Sequence, residues 1–334
     1  TLPMGAEHWG FDYGDQAAVA AQFEAAREAV LKYKDHPALL TWIIGNELNF
    51  DYTDTRVWDA VNDISMMIHE LDPNHPTTTT LAGYSPQMMQ EIQEGAPDLD
   101  FISIQLYGDL INLPRYIERD NFTRPYFITE WGAVGFWEVG TTEWGAPIED
   151  TSTMKAANYL KSYNEVLRPF PEQAIGNYVF LWGQKQERTP TWFGMFAPTG
   201  EETETIDVME YIWTGEWPDN RTPAVNSMHL NGLTAWDNVT LEAGHPYRAE
   251  IDITDPDGDP LTYMWELRNE TTATSGGGAE EYLPALIEDR IENGAQPVIS
   301  LRAPEEEGAY RLFVYVYDGN NHAAHANIPF YVNP

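Results

Sequence analysis

Seven consecutive residues, Leu39-Leu40-Thr41-Trp42-Ile43-Ile44-Gly45, form an apolar run with no alternation of polar residues. A strand with one wet face alternates, so an unbroken run of this length predicts a strand buried on both faces, as in a parallel sheet covered by helices. Its surroundings agree. Gln16 to Lys34 carries Val19, Phe23, Ala26, Val30 and Tyr33 on one helical stripe behind a capping Asp15, and a second helix is expected from Thr55 to Leu71. The alternation continues with strands at Thr77–Ala82, Phe101–Leu106, Pro125–Thr129 and Ile175–Leu181, and helices at Pro86–Glu94 and Thr153–Leu167. Strand–helix units in series favour an α/β fold of the (β/α)8 TIM-barrel kind over a doubly wound sheet.

The pattern changes at Trp217-Pro218-Asp219-Asn220-Arg221-Thr222-Pro223, a polar stretch flanked by prolines. Beyond it, Thr240–Glu242, Tyr247–Ile253, Leu261–Leu267, Val298–Leu301 and Tyr310–Val316 read as short strands separated by turn residues. The expected organisation is a barrel domain over 1–217, a linker over 218–223 and an all-β immunoglobulin-like sandwich over 224–334. The Ser275-Gly276-Gly277-Gly278 stretch reads as a flexible loop within that sandwich.

Charge narrows the function. With 18 Lys+Arg against 53 Asp+Glu the formal net charge is −35. A nucleic-acid binder needs clustered cations to neutralise phosphates, and an anionic membrane surface would repel this chain. There is no cysteine, which excludes disulfides, thiolate metal sites and a thiol nucleophile. No apolar run is long enough to span a bilayer. The acids are spread along the chain, and 13% of residues are aromatic, so this is a folded acidic protein rather than a disordered tail. Such a surface suits brine or seawater, where salt screens self-repulsion.

In a barrel the chemistry sits where strands end and βα loops begin. The first apolar run ends in Gly45-Asn46-Glu47, the Phe101 strand in Gln105-Leu106-Tyr107-Gly108, the Pro125 strand in Thr129-Glu130-Trp131-Gly132 and the Ile175 strand in Leu181-Trp182-Gly183. Two carboxylates, a tyrosine and a tryptophan are what cleavage of a glycosidic bond requires: an acid for the leaving oxygen, a nucleophile for the anomeric carbon, and a flat ring for the sugar.

These strand ends resemble those of clan A retaining glycoside hydrolases, with family 2 the nearest in wording. Thr41-Trp42-Ile43-Ile44-Gly45-Asn46-Glu47 is similar to the Asn-Glu end of that clan's fourth strand, which implies Glu47 as acid/base and Asn46 on the sugar 2-hydroxyl. Phe127-Ile128-Thr129-Glu130-Trp131-Gly132 is similar to the seventh-strand end, implying Glu130 as nucleophile. Asp100–Tyr107 resembles the sixth strand, whose Tyr bonds the nucleophile, and Trp182 would be the eighth-strand platform. The resemblance covers residues 1 to about 215. On this register Leu2–Trp9 is strand three, the first two βα units and the clan's strand-two Arg are absent, and a preceding segment is expected to complete the barrel.

The expected activity is therefore retaining hydrolysis of a neutral β-glycan, β-glucan or β-mannan favoured over a charged polymer for want of basic residues, in a secreted or cell-surface protein without cofactor. Transglycosylation would use the same carboxylates. The alternative is a non-catalytic glycan-binding or structural protein that keeps a glycosidase-like barrel. Further sugar contacts are expected from Trp131, His8 and Trp9, and from Trp137, Glu138, Glu143 and Trp144 in the loop after Glu130, with Asn49 and Asp109 as polar rim residues. Asp255, Asp257 and Asp259 alternate in a turn with Ca²⁺-loop spacing but lack the EF-hand glycine, so a plain turn is the first reading and Ca²⁺ the second. Asn321-His322-Ala323-Ala324-His325 reads as a solvated turn, and Asn121, Asn220, Asn238 and Asn269 as glycosylation sequons; the sandwich reads first as a spacer or barrel-stabilising module, with Trp236, Trp265 and Tyr282 as candidate sugar contacts of which Trp265, in a strand, reads first as core.

Overall fold

The structure, a computed structural model, describes residues 1–169, 172–274 and 279–334. The expected loop at Ser275–Gly278 lies outside the described residues. The chain forms two compact units: Thr1–Trp131 with Asn164–Val179, and Gly132–Tyr163 with Phe180–Pro334.

In the first unit, Asp15 caps helix α1 (Gln16–Tyr33) by accepting from the backbone N–H groups of Ala17 and Ala18. The apolar run becomes strand β1 (Trp42–Asn46). Helix α2 (Arg56–Leu71) presents Val57, Trp58, Val61, Ile64 and Ile68, all buried, and packs on β1 and β2 (Thr77–Ala82). Helix α3 (Pro86–Gly95) starts with Ser85 as its cap and Pro86 in its first turn, where a missing N–H costs nothing. Strand β3 (Ile102–Gln105), helix α4 (Leu113–Asp120) and strand β4 (Tyr126–Gly132) follow, and β5 (Ala174–Phe180) completes a sheet in the order β1-β2-β3-β4-β5. The pairs β1–β2, β2–β3 and β3–β4 are parallel, with Ile44, Leu81, Ile104 and Ile128 fully buried. The parallel order and its helices agree with the expected α/β fold.

Leu2–Trp9 is not a strand. Leu2 alone bridges in parallel to Ile44, and Glu7–Trp9 is a 3₁₀ turn. Pro3 has no N–H to give a ladder, and Gly5 spends its N–H on Gln22 and its carbonyl on the Tyr13 hydroxyl.

The second unit holds helix α5 (Ser152–Ser162) and helix α6 (Glu204–Thr214). Strands β6 (Ala224–Leu230), β7 (Thr240–Glu242), β8 (Pro246–Thr254), β9 (Thr262–Asn269), β10 (Ile291–Glu292), β11 (Val298–Arg302), β12 (Gly308–Tyr317) and β13 (Ala323–Asn333) make two four-stranded sheets. Their orders are β10-β11-β8-β6 and β7-β13-β12-β9. Leu230, Leu267, Leu301, Leu312 and Phe330, from both sheets, share one core. The Trp217–Pro223 stretch is tied down, with the Arg221 guanidinium 3.9 Å from the centre of the Trp217 ring and Asp207 accepting from Arg221 and Thr222.

Candidate active site

The ends of β1 and β4 are both irregular, and the irregularities decide where the carboxylates stand. On β1 the register slips between Ile43, opposite Thr78, and Asn46, opposite Thr80. On β4, Ile104 faces Ile128 but Gln105 faces Glu130, so Thr129 is the extra residue of a bulge. Bulges re-aim side chains, and here the slip sets Glu130 directly across from Gln105. Gly45 has φ +75°, and a Cβ there would stand 2.5 Å from the Leu48 side chain, so only glycine fits. Glu47 itself has φ +49°, an uncommon conformation for a residue with a side chain. Its N–H is held by the carbonyl of Thr80.

Around these turns runs a chain of hydrogen bonds. The Thr80 hydroxyl donates to Asn46 Oδ1 at 2.9 Å. Gln105 Nε2 donates to the same Asn46 Oδ1 at 2.9 Å and to Glu130 Oε1 at 2.8 Å. The Tyr107 hydroxyl donates to Glu130 Oε2 at 2.7 Å. Both oxygens of Glu130 thus meet a donor, which fixes its plane and compensates a negative charge. Gln105 is buried, and its amide orientation follows from its acceptors, since the reverse would set oxygen against oxygen. Glu47, Asn46, Tyr107 and Glu130 therefore stand at the ends of β1, β3 and β4 of one unit, with β2 between the first two.

A carboxylate gripped by two donors beside an Asn-Glu pair is the equipment of glycoside cleavage, and the chain's relatives can now be named. Residues 6–192 match the family described as "Glycosyl hydrolases family 2, TIM barrel domain". The chain belongs to family 2 of the glycosyl hydrolases. None of the curated proteins matches it. Among solved structures it is similar to Bacteroides uniformis beta-glucuronidase 2 at 14% identity and TM-score 0.47, covering 96% of this chain and 38% of that one. It is also similar to a beta-galactosidase from Marinomonas ef1 at 11% identity and TM-score 0.44, covering 61% and 43%. A family 5 mannosidase from Rhizomucor miehei shares 12% identity at TM-score 0.44, covering 63% and 64%. The chain thus spans less than half the length of that beta-glucuronidase and that beta-galactosidase.

The other candidates are placed as follows. Trp131 is fully buried, with its indole N–H on Asn177 Oδ1 at 3.1 Å, and so packs in the interior. His8 and Trp9 sit on the 3₁₀ turn, with the His8 ring 4.9 Å from that of Trp9 and 5.2 Å from that of Phe50, and Trp9 is 67% exposed. In the second unit, Trp182 is exposed beside Trp213 and Phe196. Trp137 is also exposed, and the Glu138 carboxylate accepts from Gly135 N–H. Trp144 lies against Tyr331 of β13, and Glu143 N–H is held by Asn238. Trp265 belongs to the core, while Trp236 and Tyr282 are exposed.

Two stretches away from the strand ends have the following geometry. Asp255 Oδ1 accepts from the N–H groups of Asp257 and Asp259, closing a turn, and Asp257 and Asp259 accept from Arg221 N–H, Asn220 and Asn320. Among the described residues, no group of three His, Cys, Asp or Glu is placed to hold a metal ion. His325 is not in a solvated turn: it lies buried in β13, its N–H on the Ser152 hydroxyl. No helix of the described residues is long and apolar enough to cross a membrane.

Gln105 and Thr80 were not singled out from the sequence. For Gln105 the available signal was a polar residue ending a largely apolar strand; Thr80, inside the threonine-rich β2, carried no such signal.

Proposed function

We propose that this chain carries the catalytic carboxylates of a retaining β-glycoside hydrolase. The observation that carries the reading is the double grip on Glu130 by Gln105 and Tyr107, with Gln105 reaching at the same time to Asn46. Glu130 attacks the anomeric carbon and forms the glycosyl-enzyme. Glu47 protonates the departing oxygen, then takes a proton from the water that hydrolyses the intermediate. Asn46, its Oδ1 occupied by Thr80 and Gln105, has its amide N–H₂ turned away from those donors to offer to a sugar hydroxyl. A retaining mechanism requires the two carboxyls about 5–5.5 Å apart.

The substrate we infer is a neutral β-linked oligo- or polysaccharide, β-glucan or β-mannan first, because the acidic chain offers few cations to a charged polymer. Secretion and an immunoglobulin-like C-terminal module belong to the same reading, as does sugar stacking on the exposed Trp182.

The test is Glu130→Ala on a panel of neutral aryl β-glycosides and β-glycans. Turnover should fall by at least 10⁴-fold, and azide or formate should restore cleavage with inversion at the anomeric carbon. A wild-type protein that releases no sugar from any member of the panel would instead support the non-catalytic role.

A further inference from the structure

Strand β2 begins with four threonines in succession, Thr77-Thr78-Thr79-Thr80, all buried. Valine has the same shape and suits a buried strand at least as well, while a hydroxyl taken out of water costs free energy unless it is hydrogen-bonded. Each of the four therefore needs a partner inside. Three find partners that hold the sheet and its helices together. Thr77 meets Ser65 of α2 at 2.7 Å and Asp100 at 3.1 Å, Thr78 meets Ser103 of β3 at 2.9 Å, and Thr79 donates to the Ile44 carbonyl of β1 at 2.7 Å. Thr80 differs. It stands opposite Asn46, where β1 slips its register, and serves the Asn-Glu turn. The Glu47 N–H donates to the Thr80 carbonyl at 3.1 Å and to the Thr80 hydroxyl oxygen at 3.3 Å. With that oxygen accepting, its one hydrogen goes to Asn46 Oδ1 at 2.9 Å.

The last torsion of an asparagine side chain is broad and roughly two-fold, so the amide needs neighbours to decide which way its oxygen points. Here two donors decide it, Thr80 from β2 and Gln105 from β3, and both sit on Asn46 Oδ1. On the reading of Asn46 and Glu47 given above, we propose that Thr80 is a positioning residue of the reaction: its hydroxyl keeps the Asn46 N–H₂ turned toward the sugar hydroxyl beside the anomeric carbon and ties that orientation to the backbone of the acid. A donor held in place beforehand needs no reorganisation as charge develops, which is where such a contact gains its effect on rate. Valine at position 80 would put a methyl where the hydroxyl was and leave the Glu47 N–H on the carbonyl of residue 80. Its effect should therefore fall on Asn46 rather than on the course of the turn.

The experiment uses two substrates with the same leaving group, the 4-nitrophenyl β-glycoside that wild type cleaves fastest and its 2-deoxy counterpart, which lacks the hydroxyl that Asn46 would hold. Thr80→Val should lower the wild-type preference for the parent glycoside about tenfold or more in kcat/KM, through kcat rather than KM, because the contact strengthens in the transition state. Its rate on the 2-deoxy substrate should change little. Thr80→Ser, which keeps the hydroxyl, should recover most of the preference. Thr79→Val removes an equally buried hydroxyl from the same strand; it should lower the urea midpoint as Thr80→Val does and leave the preference unmoved. Thr80→Ala takes the place of Thr80→Val should the latter fail to fold. If Thr80→Val slows both substrates alike, or Thr79→Val matches it, Thr80 only holds the sheet and the proposal falls. If Asn46→Ala narrows the preference and Thr80→Val does not, the Thr80 assignment falls alone and the reading of Asn46 stands. If Asn46→Ala also leaves the preference where it was, or wild type cleaves neither substrate, both fall together.

Discussion

Gln105 spends both hydrogens of one amide nitrogen, one on Asn46 and one on Glu130, and so joins the Asn-Glu turn to the β4 carboxylate. Replacing it by leucine keeps the volume and removes both donations. Glu130 would keep Tyr107 and lose the Gln105 donor. We expect kcat to fall about 10²-fold or more with a small change in KM, the loss typical of a preorganised donor. Initial rates on an aryl β-glycoside measure it, and rates within threefold of wild type would show that Gln105 is not needed to position Glu130. The carboxylates and Tyr107 were legible in the sequence because a charged or polar residue at the end of a largely apolar strand has no reason to be there for packing. Gln105 satisfies the same rule, but its role depends on the bulge at Thr129, and no local pattern in Phe127-Ile128-Thr129-Glu130 shows where pairing slips by one residue.

At the scale of elements, the helices and short apolar strands of the first unit were readable because periodicity and caps are local. Strand β13 was not. Ala323-Ala324-His325-Ala326-Asn327 has little β propensity and becomes strand through burial and its long pairing with β12. That strand also carries one side of a buried polar network in the second unit. Glu149 accepts from Lys155, Thr189, Thr191 and Asn327; Arg311 of β12 donates to Asn327, to Glu270 and to the carbonyl of Pro147. Removing one partner of such a network strands the others, so Arg311→Ala should destabilise by about 3–5 kcal/mol in urea unfolding of the intact chain. The same network makes stability fall in acid. Burial and then the Lys155 charge push the His325 imidazole down to about 3, against 6.5 when unfolded. Between those values the unfolded chain binds one proton more than the folded one, so stability drops as pH falls from 6.5, by at most about 1.4 kcal/mol per pH unit. Burial raises the Glu149 carboxyl, but Lys155 and the hydrogen bonds outweigh it and hold it near 2, which adds a loss of the same sign below 4.5. Replacing His325 with asparagine should therefore flatten the pH dependence between 6.5 and 4.5, measured as urea midpoints at each pH. An unchanged slope would place the acid sensitivity elsewhere.

For the whole molecule the dominant fact is a net charge of −35, and the network just described uses only a few of the 53 acids. Most of the rest face water, where each repels its neighbours across a distance set by the salt. At about 0.01 M the screening length is roughly 30 Å, so charges across a whole unit interact; at about 1 M it is roughly 3 Å and only adjacent ones do. The compact state concentrates that charge more than the unfolded chain, so added salt should stabilise the fold. Sodium chloride is the appropriate salt, because sulfate would also strengthen apolar burial and confuse the two effects. Lowering the pH would relieve the same repulsion but would at the same time load His325 and Glu149 with protons that the folded state resists. Raising sodium chloride from about 0.01 to 1 M at neutral pH should therefore raise Tm by several degrees, most of it in the first tenfold step, where screening changes over the dimensions of a domain. A Tm that stays flat or falls across this series would mean that the acids are spaced widely enough, or paired well enough, that their number carries no stability cost, and the reading of this surface as one suited to brine would be withdrawn.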